Sequence, residues 1–234
     1  MVLLGTIVNA AAILLGTFIG AFLTKIPERI KQTVTKAIAL AVIILGIKMA
    51  LKGEQFLIVI FSLAIGGVIG EWLDLEKKLN QIGQWLEGKV GTKNGNGNLP
   101  KAFVTSTLVF VVGALSILGA LDSGLRQDHT VLYTKALLDG FCSILFTTTL
   151  GVGVLFSAVP VLLYEGGIAL FATQINQWVP AGLLDFFISE MTAVGGIMIL
   201  AIGLNLLEVT EIRTANLLPG LVVVAGLCGI LYYW

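Results

Sequence analysis

Long apolar runs separated by short polar breaks dominate the chain. Runs of about 20 residues are the length that an α-helix needs to cross the hydrocarbon core of a bilayer, whereas the strands of a membrane barrel are only about half as long. The pattern therefore predicts an all-α integral membrane protein with about eight transmembrane helices. The predicted spans are 3–23, 34–51, 56–73, 102–121, 131–156, 159–179, 183–207 and 215–234, with 137 as an alternative start for the fifth. The break at 157–160 is weak, which leaves seven spans as the alternative.

Between the third and fourth spans the pattern changes. In segment 74–90, apolar residues recur every three or four positions among charged and amide side chains, which predicts an amphipathic helix along the membrane surface. Segment 91–101 is rich in glycine and asparagine and predicts a linker. We therefore predict a single membrane domain with a three-span unit, 1–90, and a five-span unit, 102–234.

Composition supports the membrane class. The 234 residues are 57% hydrophobic and 12% charged, with a mean hydropathy of +0.98, whereas a soluble domain carries about 25% charged residues. Fourteen basic and fourteen acidic side chains cancel, so that nothing in the charge indicates nucleic-acid binding. Cys142 and Cys228 lie inside apolar runs, and we interpret them as small packing residues.

The distribution of basic residues predicts the orientation. With eight spans and the N-terminus outside, the cytoplasmic side carries Lys25, Arg29, Lys31, Lys36, Lys77, Lys78, Lys89, Lys93, Lys101 and Arg213. The opposite side, counting the flanking ends of spans, carries Lys48, Lys52, Arg126 and Lys135. Ten against four agrees with the positive-inside rule. We therefore favour eight spans over seven.

Small residues form stripes on two of the predicted spans. Such stripes let helix backbones approach closely in lipid, either within one chain or in a homo-oligomer. The stripes consist of Gly5, Asn9, Gly16 and Gly20 in the first span and Ser62, Gly66 and Gly70 in the third.

Polar residues inside the spans are the candidates for function. Asp139, Ser143 and Thr147 recur every fourth position, which places them on one helix face. An acid within a span should face protein or water rather than lipid. If the fifth helix begins at 131, Asp139 lies about 12 Å along it; if it begins at 137, Asp139 lies near the headgroups.

Three further polar residues complete the predicted pathway. Glu165 follows Pro160, and Glu190 and Asn205 share one side of the seventh span. Two of them have a structural alternative, which is an interfacial position for Glu165 and a hydrogen bond between helices for Asn205. The same hydrogen-bonding alternative applies to Asn9.

Enzymatic signatures are missing from the sequence. It contains no HExxH, no cluster of cysteine and histidine, no phosphate-binding loop, and His129 is its single histidine. Asp122 and Asp139 lack the GxGD context of an intramembrane aspartyl protease. We therefore expect no enzyme activity, no metal and no cofactor.

Three stretches together resemble a known family. They read GTIVNAAAILLGTFIGAFL at 5–23, GALSILGALDSGL at 113–125 and EMTAVGGIMILAIGLNLLEVTEIRTANLLP at 190–219. In both polar and apolar residues they resemble the YdfK/YqgA family of bacterial inner-membrane proteins of unknown function. The resemblance covers essentially the full length. It implies a multi-pass plasma-membrane protein and supplies no substrate or catalytic residues.

Two functions remain open from the sequence. The first is a small transporter or channel-like protein that moves an ion or a small polar solute past the polar residues of the spans. The second is a membrane scaffold or regulator that acts through helix packing and the 74–90 helix. The expected partners are the lipid bilayer and, for the first function, the ion or solute.

Overall fold

The computed structural model of the protein describes residues 1–23, 27–90 and 98–233. It is 87% helical, and the described residues contain no strand, which confirms the all-α class. Seven helical segments are long and apolar enough to cross a membrane, or up to eight if one bent pair counts as a span. The helices are α1 (Leu4–Phe22), α2 (Glu28–Ala50), α3 (Phe56–Leu73), α4 (Leu75–Val90), α5 (Asn98–Val111), α6 (Ala114–Arg126), α7 (Thr130–Leu150), α8 (Ala158–Leu170), α9 (Ala172–Trp178), α10 (Ala181–Leu206) and α11 (Gly220–Tyr233).

Two compact units share the chain, and neither is continuous in sequence. The first comprises Met1–Val34, Leu79–Val111 and Leu115–Ile175; the second comprises Thr35–Lys78, Val112–Ala114 and Asn176–Trp234. Most of the predicted linker, 91–97, lies outside the described residues. The predicted division of the chain into 1–90, 91–101 and 102–234 stays a prediction.

Four predicted helices match the structure closely. The spans predicted at 3–23, 56–73 and 183–207 correspond to α1, α3 and α10, with bounds that differ by at most two residues. The amphipathic segment 74–90 forms α4, as its spacing predicts. Strong periodicity and clear polar boundaries make such elements readable from sequence. The second span is longer than predicted, because α2 begins at Glu28 rather than at residue 34.

The predicted fourth span is wrong in detail. Residues 98–101 are helical rather than part of a linker, because Pro100 lies in the first turn of α5, where its missing N–H costs no hydrogen bond. The chain then breaks at Val112 and Gly113, and α6 continues at an angle of 60° to α5. At about 1.5 Å per residue, neither helix alone reaches the roughly 30 Å of the hydrocarbon core.

The boundary between the fifth and sixth spans also differs from the prediction. It lies at Gly151, where φ is +101°, and not at 157–160. Glycine adopts this backbone conformation without steric cost, so that α7 ends there. A 3-10 turn, Val152–Ser157, leads into α8, whose first turn accommodates Pro160. The fifth and sixth spans are therefore separate, and α8 ends at Leu170 rather than near residue 179.

Close contact between α1 and α7 organises the first unit. A Cβ atom on Gly16 would lie 2.2 Å from the carbonyl oxygen of Gly140, and one on Gly20 would lie 2.7 Å from that of Ile144. The glycines thus allow the two backbones to touch, which in lipid provides the van der Waals contact that holds helices together. This packing brings the polar face of α7 against α1.

In the second unit, glycines of α3 also allow close contact between backbones. A Cβ atom on Gly66 would lie 2.2 Å from the backbone nitrogen of Gly220, and one on Gly70 would lie 1.8 Å from the carbonyl oxygen of Asn216. Ser62 lies on the same face of α3, and its carbonyl oxygen would be 2.9 Å from a Cβ atom on Gly220. The stripe of α3 therefore packs against the start of α11 and the turn before it.

Candidate functional site

Four polar side chains from three helices meet inside the first unit. Asn9 comes from α1, Lys135 and Asp139 from α7, and Glu165 from α8. Asn9 and Glu165 are 0% exposed, Lys135 is 5% exposed and Asp139 is 8% exposed. We call these four residues the polar cluster.

Asn9 connects the two acids of the polar cluster. Its Nδ2 donates to Asp139 Oδ2 at 3.1 Å and to Glu165 Oε1 and Oε2 at 3.0 and 3.2 Å. Because one amide group serves both carboxylates, the position of α1 fixes the separation of the acids on α7 and α8. Asn9 therefore does more than the simple packing that its place in the small-residue stripe predicts.

Lys135 supplies the positive charge of the polar cluster. Its ammonium donates to Asp139 Oδ2 and lies 3.2 Å from Glu165 Oε1. Lys135 and Asp139 are four residues apart on α7 and therefore lie on the same face, one turn from each other. With all three groups ionised, the cluster holds two negative charges and one positive charge, a net charge of −1.

The start of α7 determines how deep Asp139 lies. The helix begins at Thr130, nine residues before Asp139, which places the acid about 13–14 Å along the helix. The hydroxyl and the backbone N–H of Thr130 both donate to Asp128 Oδ1, and these hydrogen bonds hold the pKa of the Asp128 carboxyl below its ordinary value. Asp139 is thus well inside the helix, as the earlier of the two predicted starts requires.

Ser143 and Thr147, the predicted pathway residues with hydroxyl groups, lie on the same face of α7 as Asp139. Ser143 Oγ donates to the backbone carbonyl of Asp139 at 2.7 Å rather than to its carboxylate. Thr147 Oγ1 is buried and has no hydrogen-bond partner in the described part of the chain. The structure thus joins Asp139 to Glu165 through Asn9 and Lys135, and places Ser143 and Thr147 further along the same helix.

Glu190 lies in the second unit and is 0% exposed. Its Oε1 accepts hydrogen bonds from the backbone N–H groups of Glu54 and Gln55, at 2.6 and 2.8 Å. Gln55 is the N-cap of α3, so the carboxylate satisfies free donors at the positive end of that helix. This arrangement explains a buried Glu190 through helix capping.

Asn205 holds the turn that follows α10. Its Nδ2 donates to the carbonyl of Ile212 at 2.7 Å, and its Oδ1 accepts from Ile212 N–H and from the hydroxyl of Thr210. Both ends of the amide are therefore occupied within one loop, which assigns Asn205 a structural position.

Lys135 is the member of the polar cluster that sequence reasoning does not identify as a site residue. The prediction counts it only among the basic residues at the flanking ends of the spans, and the structure buries it against two acids. The available signal was its spacing: a lysine four residues before an aspartate in a helix indicates an ion pair on one face. Without Lys135, the count of basic residues becomes ten against three (four minus one) and still agrees with the predicted orientation.

No three side chains of His, Cys, Asp and Glu come close enough to hold a metal ion in the part of the chain that the structure describes. The polar cluster offers two acids, an amide and an ammonium. The carboxylates and the ammonium of this set can each bind and release a proton. The expectation that the protein needs no metal or cofactor stays a prediction.

Comparison with known proteins identifies the family. Residues 4–228 match the family described as "Protein of unknown function (DUF554)". The chain is 34% identical to the uncharacterized membrane protein YdfK of Bacillus subtilis, over 94% of this chain and 93% of YdfK. It is 29% identical to the uncharacterized protein YqgA of Escherichia coli, over 99% of this chain and 98% of YqgA. No solved structure matches it. Its long apolar helices make the chain a membrane protein. The family match over residues 4–228 shows that the chain belongs to the DUF554 family.

Proposed function

We propose that this membrane protein is a small transporter or channel-like protein that moves an ion across the membrane past the polar cluster. The observation that carries the proposal is the burial of Lys135, Asp139 and Glu165 together inside apolar helices. The proposal places the protein in the bacterial inner membrane with its N-terminus outside, as the basic residues predict. It assigns no enzymatic activity.

Burial of the charged groups in the polar cluster costs free energy. Taking charged groups out of water costs several kcal/mol per ion, and their mutual attraction offsets this only in part. Apolar side chains of similar size would stabilise the contact between the α1, α7 and α8 helices at least as well. Ionisable residues inside membrane spans are for this reason typical of ion and proton pathways.

The sign of the charge favours a positive ion. The polar cluster has one more acid than base, and α1 contributes only the neutral Asn9 to it. A cation or a proton would compensate the excess charge, whereas an anion would increase the repulsion. We therefore expect the transported or coupled ion to be positive.

Flux into proteoliposomes tests the proposal. We expect the wild-type protein to move protons or alkali cations, followed with an ion-sensitive dye in the lumen. Flux should fall to the level of protein-free liposomes in Asp139→Asn, because this change removes one of the charges that the ion compensates. Retention of helicity and of a monodisperse elution profile would show that the variant folds.

The control is Glu71→Gln, which breaks an exposed ion pair with Arg213 and should leave flux unchanged. Glu190→Gln tests the buried acid of the second unit, which lies outside the polar cluster. Undiminished flux in Asp139→Asn would reject the pathway past the polar cluster, and undiminished flux in Glu190→Gln as well would assign both acids to structure.

A further inference from the structure

We propose that the polar cluster is a proton-binding site that takes up one proton on Asp139, while Glu165 stays ionised as the partner of Lys135. The role of this proton in transport rests on the proposed function, but its binding does not. The inference follows from the charges of the cluster, from the hydrogen bonds of its carboxylate oxygens and from buried acceptors beside it.

Charge balance requires one more positive charge in the cluster. Lys135 contacts both Asp139 and Glu165, and one ammonium compensates only one of these two carboxylates. An uncompensated charge this far from solvent is strongly unfavourable, and such groups neutralise by taking up a proton. One proton makes the cluster neutral.

The ionisable groups on the neighbouring elements do not supply that charge. Helix α1 contains no ionisable side chain between Leu4 and Phe22. On α7 and α8, the nearby Cys142 and Tyr164 are neutral when protonated. On α5, which packs against α7 and α8, Lys101 is exposed. On α6, Arg126 pairs with Asp122 at 3.6 Å, and its side chain is 77% exposed.

The hydrogen bonds of the two acids indicate where the proton binds. Both oxygens of Glu165 and Oδ2 of Asp139 accept from Asn9. Among the described residues, the donors Asn9 and Lys135 both bond to Oδ2 of Asp139, which leaves its Oδ1 as the carboxylate oxygen of the cluster to which neither donates. The side chain of Asp139 is 11% exposed and that of Glu165 is 0% exposed, so Asp139 is the more accessible of the two acids.

Two buried oxygens on α1 add an independent observation. Asn9 Oδ1 and Thr6 Oγ1 have no hydrogen-bond partner among the described residues, although Asn9 is 0% and Thr6 only 1% exposed. Thr6 lies one turn from Asn9, and its methyl carbon would be 3.9 Å from a Cβ atom on Gly166, next to Glu165. Since more than about 90% of buried polar groups have a partner, these oxygens indicate that the site also binds a donor from outside the chain.

The same inventory argues against a metal cation. Lys135 already occupies the position between the two acids, and three oxygens of the site are left without a donor from the described part of the chain: Asp139 Oδ1, Asn9 Oδ1 and Thr6 Oγ1. Hard cations such as Ca²⁺ take about six to eight oxygen ligands. A proton needs only one carboxylate oxygen.

Infrared difference spectroscopy tests the inference on the full-length protein in lipid. We expect the spectrum recorded between acidic and alkaline buffer to contain the carbonyl stretch of a protonated carboxylic acid in a dry environment. This band should disappear in Asp139→Asn and persist in Glu190→Gln, the control for another buried acid. Isotopic labelling of the aspartate carboxyl groups should shift the band in the wild-type protein, which needs no variant to fold.

The outcomes separate this inference from the proposed function. A band that survives in Asp139→Asn, or that does not respond to aspartate labelling, overturns the assignment to Asp139. Absence of any such band in the wild-type protein overturns proton binding even if cation flux is measured. A band that behaves as expected in a protein without flux supports the proton site and rejects the transport proposal.

Discussion

Among the described residues, Lys135 is the one cation in contact with Asp139 and Glu165. Its 5% exposure means that water cannot replace it as a partner for the acids. Removing one member of a buried ion pair leaves a charge without compensation, which typically costs about 3–5 kcal/mol. Stability therefore depends on the balance of charges in the polar cluster rather than on any one of its contacts.

This balance of charges predicts how substitutions in the polar cluster change the unfolding temperature. We expect Lys135→Met to lower the unfolding temperature in detergent or lipid discs, because the acids lose the one cation that compensates them. Adding Glu165→Gln should restore most of the loss, since the double variant has the same net charge as the wild-type cluster whether Asp139 is protonated or ionised. Thermal unfolding followed by circular dichroism measures both effects.

Lys77→Met serves as the matched control. Lys77 pairs with Asp74 at the surface at 3.9 Å, with side chains 69% and 47% exposed, and such pairs contribute at most about 1 kcal/mol. If Lys135→Met were no more destabilising than Lys77→Met, the charges of the polar cluster would not be tightly coupled.

At the scale of helices, the contact between α1 and α7 determines whether the polar cluster can form. Asn9 on α1 reaches Asp139 only because Gly16 and Gly20 let the two backbones touch further along. Helix packing of this kind depends on the absence of side-chain atoms at a few positions. The small-residue stripe of α1 and the polar cluster are therefore parts of the same interface.

Substitution of Gly16 tests this interface. In Gly16→Ala, the new Cβ atom would lie 2.2 Å from a backbone oxygen, so that a helix must shift. We expect a loss of about 1–3 kcal/mol, typical of overpacking, measured as a lower unfolding temperature. The shift should also weaken the proton band of the polar cluster, because it displaces Asn9.

Gly167→Ala is the control in the same unit. Gly167 is helical, and nothing lies within 4 Å of its Cβ position. This substitution should be neutral or stabilising by up to about 1 kcal/mol, because alanine favours the helix. Equal effects of Gly16→Ala and Gly167→Ala would contradict the role assigned to the contact with α7.

For the whole molecule, the bent pair α5 and α6 decides the topology. If the pair crosses the membrane, the protein has eight spans and both termini lie on the same side; if it turns back, it has seven and they lie on opposite sides. The loop at 127–129 changes sides between these two cases. Without Lys135, the count of basic residues is ten against three in both cases, because Arg126 and Arg213 exchange sides, and our prediction of eight spans places this loop outside.

Cysteine labelling distinguishes the two topologies. In a background of Cys142→Ser and Cys228→Ser, we expect a membrane-impermeant maleimide to label Asp128→Cys in intact cells. It should label Lys89→Cys only after the membrane is opened, because α4 lies on the cytoplasmic side in the predicted orientation. Protection of Asp128→Cys in intact cells would instead favour a re-entrant pair and seven spans.

Local sequence was enough for the class of the protein and for most of its helices. Apolar runs and their polar boundaries are properties of neighbouring residues, so the spans α1, α3 and α10 and the amphipathic α4 could be read directly. The breaks at 112–113 and at Gly151 were missed or misplaced, because single residues in an apolar run give only a weak signal.

The sequence by itself determined that acids lie within the membrane spans, but only the tertiary structure decided which of them meet. Asn9 bonds to Asp139 and Glu165 across 130 and 156 positions of the chain. Such pairings depend on how helices rotate and pack against each other, and hydrophobic periodicity does not encode this. For the same reason, the burial of Lys135 between the two acids emerged only from the folded protein.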